Sequence, residues 1–437
     1  MIGIVRRYAV SLFTLLRSQL AQEAGYLMVG NIVQAGSIFL IFAFLARTLP
    51  ADQFGQFTLV NAFLGLISAF SDLGLNTGMV RYGAEAVARQ EWHRAKYIFQ
   101  VNKEWRLIAG GVFVLGGIAL VPWLATTVWR DESLTTMLRI AFVGGLGMVL
   151  QSYVTSVQIA RRQFLASSVL LIVTAVLRLL ILLVCWRIGV LSALSATVAM
   201  VLAPSIVALL AELTLPALPA TRQVVDRRTE RRSLLSFSAW VAGSAIFVAL
   251  TQRIDLALLG HFLPLATVGT YAVAQQLAFG IRLGTSALTT ALLPRVATLG
   301  LAEIPAYIRR VLYYAPAVVV GAVPLIALVH LLVPLIFGAR YQEAVFLFDI
   351  LLAGQVISLV VNPLSLILFR LEKPSVFTAL NALQLIVVGA AGWMLIPRFG
   401  VAGAAMSAIL SQVVGAVVTG SYLSFALARI ARARSAE

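Results

Sequence analysis

Apolar runs of about 20 residues, enough for an α-helix to cross a ~30 Å hydrocarbon layer, recur along the whole chain between short polar breaks. Twelve are readable: 24–46, 56–79, 106–128, 135–159, 165–186, 190–213, 234–259, 266–292, 311–336, 344–369, 375–396 and 400–427. They are too long for barrel strands, and lipid satisfies no unpaired peptide group, so each predicts a membrane-spanning helix. The pattern predicts an all-α integral membrane protein. Composition agrees: 61% of residues are hydrophobic and 11% charged, against about 25% charged in soluble proteins.

The distribution of Lys and Arg predicts orientation. With the N-terminus cytoplasmic, the inward segments (1–23, 81–106, 161–162, 216–232, 294–310, 370–374 and 428–437) hold 24 of the 33 basic residues. The outward loops hold five: Arg47, Arg130, Arg187, Arg340 and Arg398. Both termini are therefore predicted to be cytoplasmic. The net charge of +16 then sits at inner helix ends, where anionic membrane lipids attract it. It calls for no nucleic-acid partner. Residues 1–23, with "VRRYAVSLFTLLR", read as a surface-lying amphipathic helix. No long apolar stretch precedes a clean cleavage site there, as a signal peptide requires.

The chain also repeats itself. "RTLPADQFGQFTLV" at 47–60 matches "HFLPLATVGTYAVA" at 261–274, an offset of 214. "RIGVLSAL" at 187–194 matches "RFGVAGAA" at 398–405, an offset of 211. Two copies of a six-span unit in the same orientation follow. The predicted layout is an N-terminal lobe, 1–215, a basic cytoplasmic linker, 216–232, and a C-terminal lobe, 233–437. Two like halves flanking a central cleft is a transporter layout.

Enzyme chemistry finds no motif. None of Lys96, Lys103 and Lys373 follows a glycine, so there is no phosphate-binding P-loop. Cys185 is the only cysteine, and His93, His261 and His330 lack ligand spacing. No G-x-S-x-G nucleophile motif occurs. No cofactor and no metal are predicted.

Polar residues inside spans mark function. Helical spacing groups Asn31, Gln34 and Ser37 in span 1, and Asn61, Ser68, Asp72 and Asn76 in span 2. It also groups Ser167, Thr174 and Arg178 in span 5, Ser244, Thr251 and Asp255 in span 7, and Gln275, Arg282 and Ser286 in span 8. These five stripes predict one hydrated, substrate-binding cleft. Arg178 lies 13 residues into its span, ~20 Å deep, and Arg282 is comparably deep. A guanidinium stays charged when buried and grips phosphate with two hydrogen bonds. The plain alternative is a structural Arg–Asp contact, for example with Asp72. Asp255 continues a polar stripe, with pairing to a neighbouring Arg as its alternative. Arg253 continues an apolar face, with snorkelling to the outer headgroups as its alternative. Asp72 is the one carboxylate well inside a span and away from its outer end, which makes it the candidate for proton coupling.

"ARTLPADQFGQFTLV", "SDLGLNTGMVRY" and "IDLALLGHFLPLATVGTYAVA" resemble the Wzx-type polysaccharide-biosynthesis flippases of the multidrug/oligosaccharidyl-lipid/polysaccharide exporter superfamily. The resemblance covers essentially the whole chain. Asp72 and Gly74 match an Asp-Leu-Gly pattern, Asp255 and Gly260 an Asp…Gly pattern, and Gly269 and Tyr271 a Gly-x-Tyr pattern. The resemblance implies a MATE-like V of two six-helix lobes. It implies movement of an undecaprenyl-pyrophosphate-linked oligosaccharide to the outer leaflet of the bacterial inner membrane. A polysaccharide polymerase and glycosyltransferases are the partners it implies. Two rivals remain at this point: a cation-coupled multidrug exporter of the same superfamily and a membrane enzyme of glycan assembly. The deep arginines outnumber Asp72, which disfavours the first. The repeat and the short outer loops disfavour the second.

Overall fold

The computed structural model describes residues 19–219, 226–300, 302–370 and 374–434. The amphipathic helix expected at 1–23 falls mostly outside them, as do parts of the 216–232 linker and of the 370–374 segment. Among the described residues there is no strand, and twelve helical segments are long and apolar enough to cross a membrane.

The helices are α1 (Gln19–Thr48), α2 (Ala51–Asp72), α3 (Leu75–Gly78), α4 (Ala84–Ala88), α5 (Trp92–Trp123), α6 (Ser133–Ala160), α7 (Phe164–Arg187) and α8 (Ala193–Thr214). They continue with α9 (Arg227–Thr251), α10 (Ile254–Phe262), α11 (Leu265–Ala297), α12 (Ile304–Ile336), α13 (Glu343–Arg370), α14 (Pro374–Phe399) and α15 (Val401–Arg434). The expected second span breaks after Asp72, where Leu73 and Gly74 adopt φ of 42° and 67°. The path resumes through α3, a π-helical turn at Met79–Gly83 and α4. The expected seventh span breaks after Thr251 and restarts as α10. The third begins at Trp92 rather than at 106, so Arg106 belongs to a helix interior and not to a loop.

The sequence echo is also a conformational one. In "RIGV" and "RFGV" the glycines, Gly189 and Gly400, both follow a long helix and both have positive φ, 77° and 60°. A residue without Cβ enters this left-handed cap with least strain.

Cα packing divides the chain into two compact units. Unit 1 gathers the chain up to Ile41, Ile67–Trp123 and Ser133–Ala242; unit 2 gathers Phe42–Leu66, Leu124–Glu132 and everything from Gly243 on. In unit 1, α6 and α8 approach through small residues: a Cβ on Gly144 would meet Val201 at 2.5 Å, and one on Gly147 would meet Ser205 Oγ at 1.8 Å. Such close approach is how membrane helices gain packing contacts when lipid supplies little hydrophobic drive. Ile98, Phe99, Val154, Val157 and Leu170 fill the core beside them. In unit 2, Val296, Ile304, Ile367 and Leu423 join α11, α12, α13 and α15.

The other echo is a contact within unit 2. A Cβ on Gly55 would come within 1.8 Å of the Leu265 carbonyl oxygen, and one on Gly269 within 2.8 Å of the Phe54 ring and 3.4 Å of the Gly55 nitrogen. The repeat-equivalent glycines of the two Leu-Pro motifs thus face each other. Apolar residues such as Leu115, Val320 and Leu331 are about two-thirds exposed or more, as expected of surfaces turned to lipid.

Candidate functional site

The break in the seventh span sets up the site. Thr251 ends α9 with its hydroxyl donating to the Phe247 carbonyl at 2.8 Å. Arg253 takes a non-helical conformation, φ −130° and ψ −17°. Helix α10 then starts with Asp255 in its first turn, where free N–H groups and the helix dipole favour a carboxylate. Asp255 is 4% exposed. Its Oδ1 accepts the Leu256 N–H at 2.8 Å. Its Oδ2 accepts the Tyr271 hydroxyl at 2.8 Å and the Gln275 amide at 2.6 Å. Tyr271 and Gln275 stand one turn apart on α11, so one helix face supplies both donors. The partners of Asp255 are therefore neutral, and no arginine hydrogen-bonds to it.

Two arginines lie beside this satisfied carboxylate. Arg253 reaches toward α2: its Nε and Nη2 would stand 3.2 and 3.3 Å from a Cβ on Gly65. The absence of a side chain at 65 makes room for the guanidinium. Arg282 stands 5.6 Å from the Phe279 ring centroid, and its Nε is enclosed without an acceptor. Arg253, Arg282 and Asp255 are close enough to act on one another electrostatically. Neither arginine has a hydrogen-bonded or ion-paired acceptor among the described residues. Even partial burial without an acceptor is costly for a charged group. The cluster thus sets two guanidinium groups with free donors beside one hydrogen-bonded carboxylate.

Arg282, Asp255 and Gln275 line a cavity of about 510 Å³ in unit 2. The polar stripes expected on spans 7 and 8 reach it through Thr251, Asp255, Gln275, Arg282 and Ser286. The sequence reading did not register three further stripes. Helix α13 contributes Gln355, Ser358, Asn362 and Ser365; α14 contributes Asn381 and Gln384; α15 contributes Ser411, Gln412 and Thr419. On α13 and α14 their spacing of three and four residues is visible in the chain. No aromatic side chain is among the lining residues.

The remaining expected site residues lie elsewhere. Asn61 is on α2 in unit 2 and does not line this cavity. Asn31, Gln34, Asp72 and Arg178 belong to unit 1. Asn31 is exposed and Gln34 half-buried. Asp72 pairs with Arg106, at 2.9 Å between Oδ1 and Nη2, and accepts the Asn76 N–H at 3.2 Å. Arg106 is 1% exposed and its Nη1 donates to Ser152 Oγ at 3.1 Å. Asn102, one helical turn before it, donates to the Leu75 carbonyl at 2.7 Å, which steadies the break in the second span. The acid therefore has an arginine partner, but it is Arg106 rather than Arg178. Arg178 is 3% exposed, on the α7 face of Thr174 and Leu182, with no acceptor among the described residues. Beside it, Gln151 donates to the Thr174 hydroxyl at 2.6 Å.

A family model described as "Polysaccharide biosynthesis protein" matches residues 20–299. The chain belongs to the polysaccharide biosynthesis protein family. This family member is also 24% identical over 417 residues to the "Probable low-salt glycan biosynthesis flippase Agl15" of Haloferax volcanii, an alignment covering 93% of this chain and 84% of that protein. Its fold is that of a solved inward-facing multidrug-resistance MATE transporter of the MOP superfamily, with TM-score 0.73, 12% identity, and 93% and 99% of the two chains covered. It also matches the lipid II flippase MurJ in an inward closed conformation, with TM-score 0.70, 9% identity, and 91% and 87% covered. At these identities the solved structures speak to fold alone.

Proposed function

We propose that this family member is a flippase that carries an undecaprenyl-pyrophosphate-linked oligosaccharide from the inner to the outer leaflet of a bacterial inner membrane. The observation that carries the reading is the pair Arg253 and Arg282, half-buried and without acceptors among the described residues, beside an Asp255 already saturated by Leu256, Tyr271 and Gln275. A diphosphate supplies the acceptors these guanidinium groups lack, and the planar fork suits its geometry. The hydrated headgroup cannot cross the hydrocarbon unaided, whereas the polyprenyl tail remains in lipid. Arg178, in unit 1, is a further guanidinium without an acceptor among the described residues. The family and the flippase name of Agl15 support the same direction. In this reading the protein is a transporter and not an enzyme. It works with the glycosyltransferases that build the cargo and the polymerase that consumes it.

A multidrug exporter of organic cations fits less well. Such cargo is held by free carboxylates and aromatic faces. The unit 2 cavity has no aromatic lining, and its carboxylate is already hydrogen-bonded. Deleting the gene tests the two readings together. The flippase reading expects loss of one surface polysaccharide and build-up of its lipid-linked precursor on the cytoplasmic side, with flipping restored in vesicles containing the purified protein. Normal flipping without the protein in those vesicles, or lost dye efflux with intact glycan display, overturns it.

A further inference from the structure

The unit 2 cavity is far more polar than the arginine site alone requires. Away from Arg282 its walls carry amides whose hydrogen-bonding capacity the fold leaves largely unused. The side-chain amides of Gln355, Asn362 and Gln412 have no hydrogen-bond partner among the described residues, although all three residues line the cavity. The Gln384 amide reaches the Ser411 carbonyl only at a long 3.5 Å. By contrast, Gln275 and Asn381 are engaged, with Asp255 and with Ser244. The amides come from three different helices, α13, α14 and α15, and converge on one space.

The chain also keeps that space open. A Cβ on Gly415, one turn from Gln412, would stand 2.3 Å from the Gln384 Nε2. Glycine at 415 thus lets the Gln384 amide lie in the cavity rather than be pushed aside. Polar groups inside a membrane protein are expensive when idle. Four underused amides facing one cavity therefore offer donors and acceptors to an occupant with a matching set.

The chemistry of that occupant is constrained. A side-chain amide both donates and accepts, as a sugar hydroxyl or acetamido group does. A bare cation would need carboxylates, and the single one lining the cavity, Asp255, already accepts three hydrogen bonds. With no aromatic ring in the lining, sugar-ring stacking is absent and recognition rests on hydrogen bonds. A volume of about 510 Å³ lies within the ~300–1,000 Å³ range of small-molecule sites.

We propose that Gln355, Asn362, Gln384 and Gln412 form a glycan subsite that takes uncharged, hydroxyl- or acetamido-bearing sugar rings, with Arg282 at its phosphate-facing side. The inference rests on the flippase reading and adds to it: the C-terminal unit reads the sugar and not only the diphosphate. Discrimination between sugars then follows from which hydroxyls the four amides reach.

The test uses the purified full chain in lipid nanodiscs and two probes. One is farnesyl pyrophosphate, which has no sugar. The other is farnesyl pyrophosphate linked to a neutral N-acetylated disaccharide. Gln384→Leu, Gln412→Leu and Asn362→Leu should each weaken binding of the sugar-bearing probe about three- to tenfold, the scale of one lost neutral hydrogen bond, and leave the sugarless probe unchanged. Gln384→Glu keeps the shape and adds a negative charge, so it should weaken both probes. Arg282→Ala should also weaken both. If the Leu variants, eluting as folded protein, bind both probes like the unaltered chain while Arg282→Ala loses both, the glycan subsite is overturned and the flippase reading stands. If the unaltered chain binds neither probe, the flippase reading falls, and the subsite with it.

Discussion

Asp72 and Arg106 form a 2.9 Å ion pair at the break of the second span, with Arg106 almost completely enclosed. Each stabilises the other's buried charge, and the backbone N–H of Asn76 secures the acid. Removing one partner of such a pair costs about 3–5 kcal/mol because it strands the other charge. Arg106→Ala should therefore lower the melting temperature of the purified protein sharply, and adding Asp72→Ala should recover part of the loss. Equal melting of Arg106→Ala and the unaltered chain would show that the pair is not structural.

Arg253→Ala and Arg282→Ala should impair glycan export to a similar degree, with normal amounts of protein in the membrane. A lost charged hydrogen bond is worth roughly 1.5–3 kcal/mol, about ten- to over a hundredfold in affinity. Lys at either position should rescue only in part, since it keeps the charge and loses the fork. The sequence alone makes Arg253 the milder of the two. The contact with Gly65 removes that distinction. A flipping assay in vesicles, normalised to protein, measures it.

Tyr271→Phe and Gln275→Leu each take one donor from Asp255. Each should lower stability, and the double variant more than either, because the carboxylate then keeps only the Leu256 N–H. A hydrogen bond to a charged group is worth about 1.5–3 kcal/mol. Thermal melting of the two single variants and the double one gives the coupling directly. Additive, negligible shifts would mean that Asp255 finds another partner, with Arg253 and Arg282 the candidates.

Arg178→Ala should separate folding from transport. The guanidinium has no acceptor to lose among the described residues, so removing it relieves an unpaired buried charge. Protein level and melting temperature should hold or rise while export falls. A fall in both would place Arg178 in the support of unit 1 instead.

Cysteine labelling tests the orientation. In a Cys185→Ala background, single cysteines placed in 81–104 and in 216–232 should be shielded from an impermeant thiol reagent added to intact cells. Labelling of either segment from outside would reverse the sidedness inferred from the basic loops.

Much of the fold was legible because lipid allows so few backbone solutions. The apolar runs located every span, and the echoed motifs pointed to the repeat; that their glycines form left-handed caps at 189 and 400 and meet at 55 and 269 came from the structure. Breaks inside spans were not legible. The polar residues at the two breaks, Asp72 and Asn76 in the second span and Thr251 and Asp255 in the seventh, fit helical stripes equally well, so they do not by themselves announce an interruption. Arg106 was read as a loop residue because basic residues cluster before it; its burial depends on Asp72, a partner 34 positions away in the chain. The site was legible where it was charged. Its neutral part, Gln355, Asn362, Gln384 and Gln412, was not, because such a stripe gains meaning only when three helices are seen to share one space.

The saturation of Asp255 and the pairing of Asp72 also bear on energetics. Both acids are balanced where they stand, so neither is an uncompensated charge that has to travel. In the proposed reaction the moving charge is that of the cargo's phosphates. A membrane potential does about 2.3 kcal/mol of work per elementary charge per 100 mV. For an anionic headgroup leaving the negative side of the membrane, that work points in the direction of export. Turnover should then be electrogenic, slowing on depolarisation even where ion gradients are held constant.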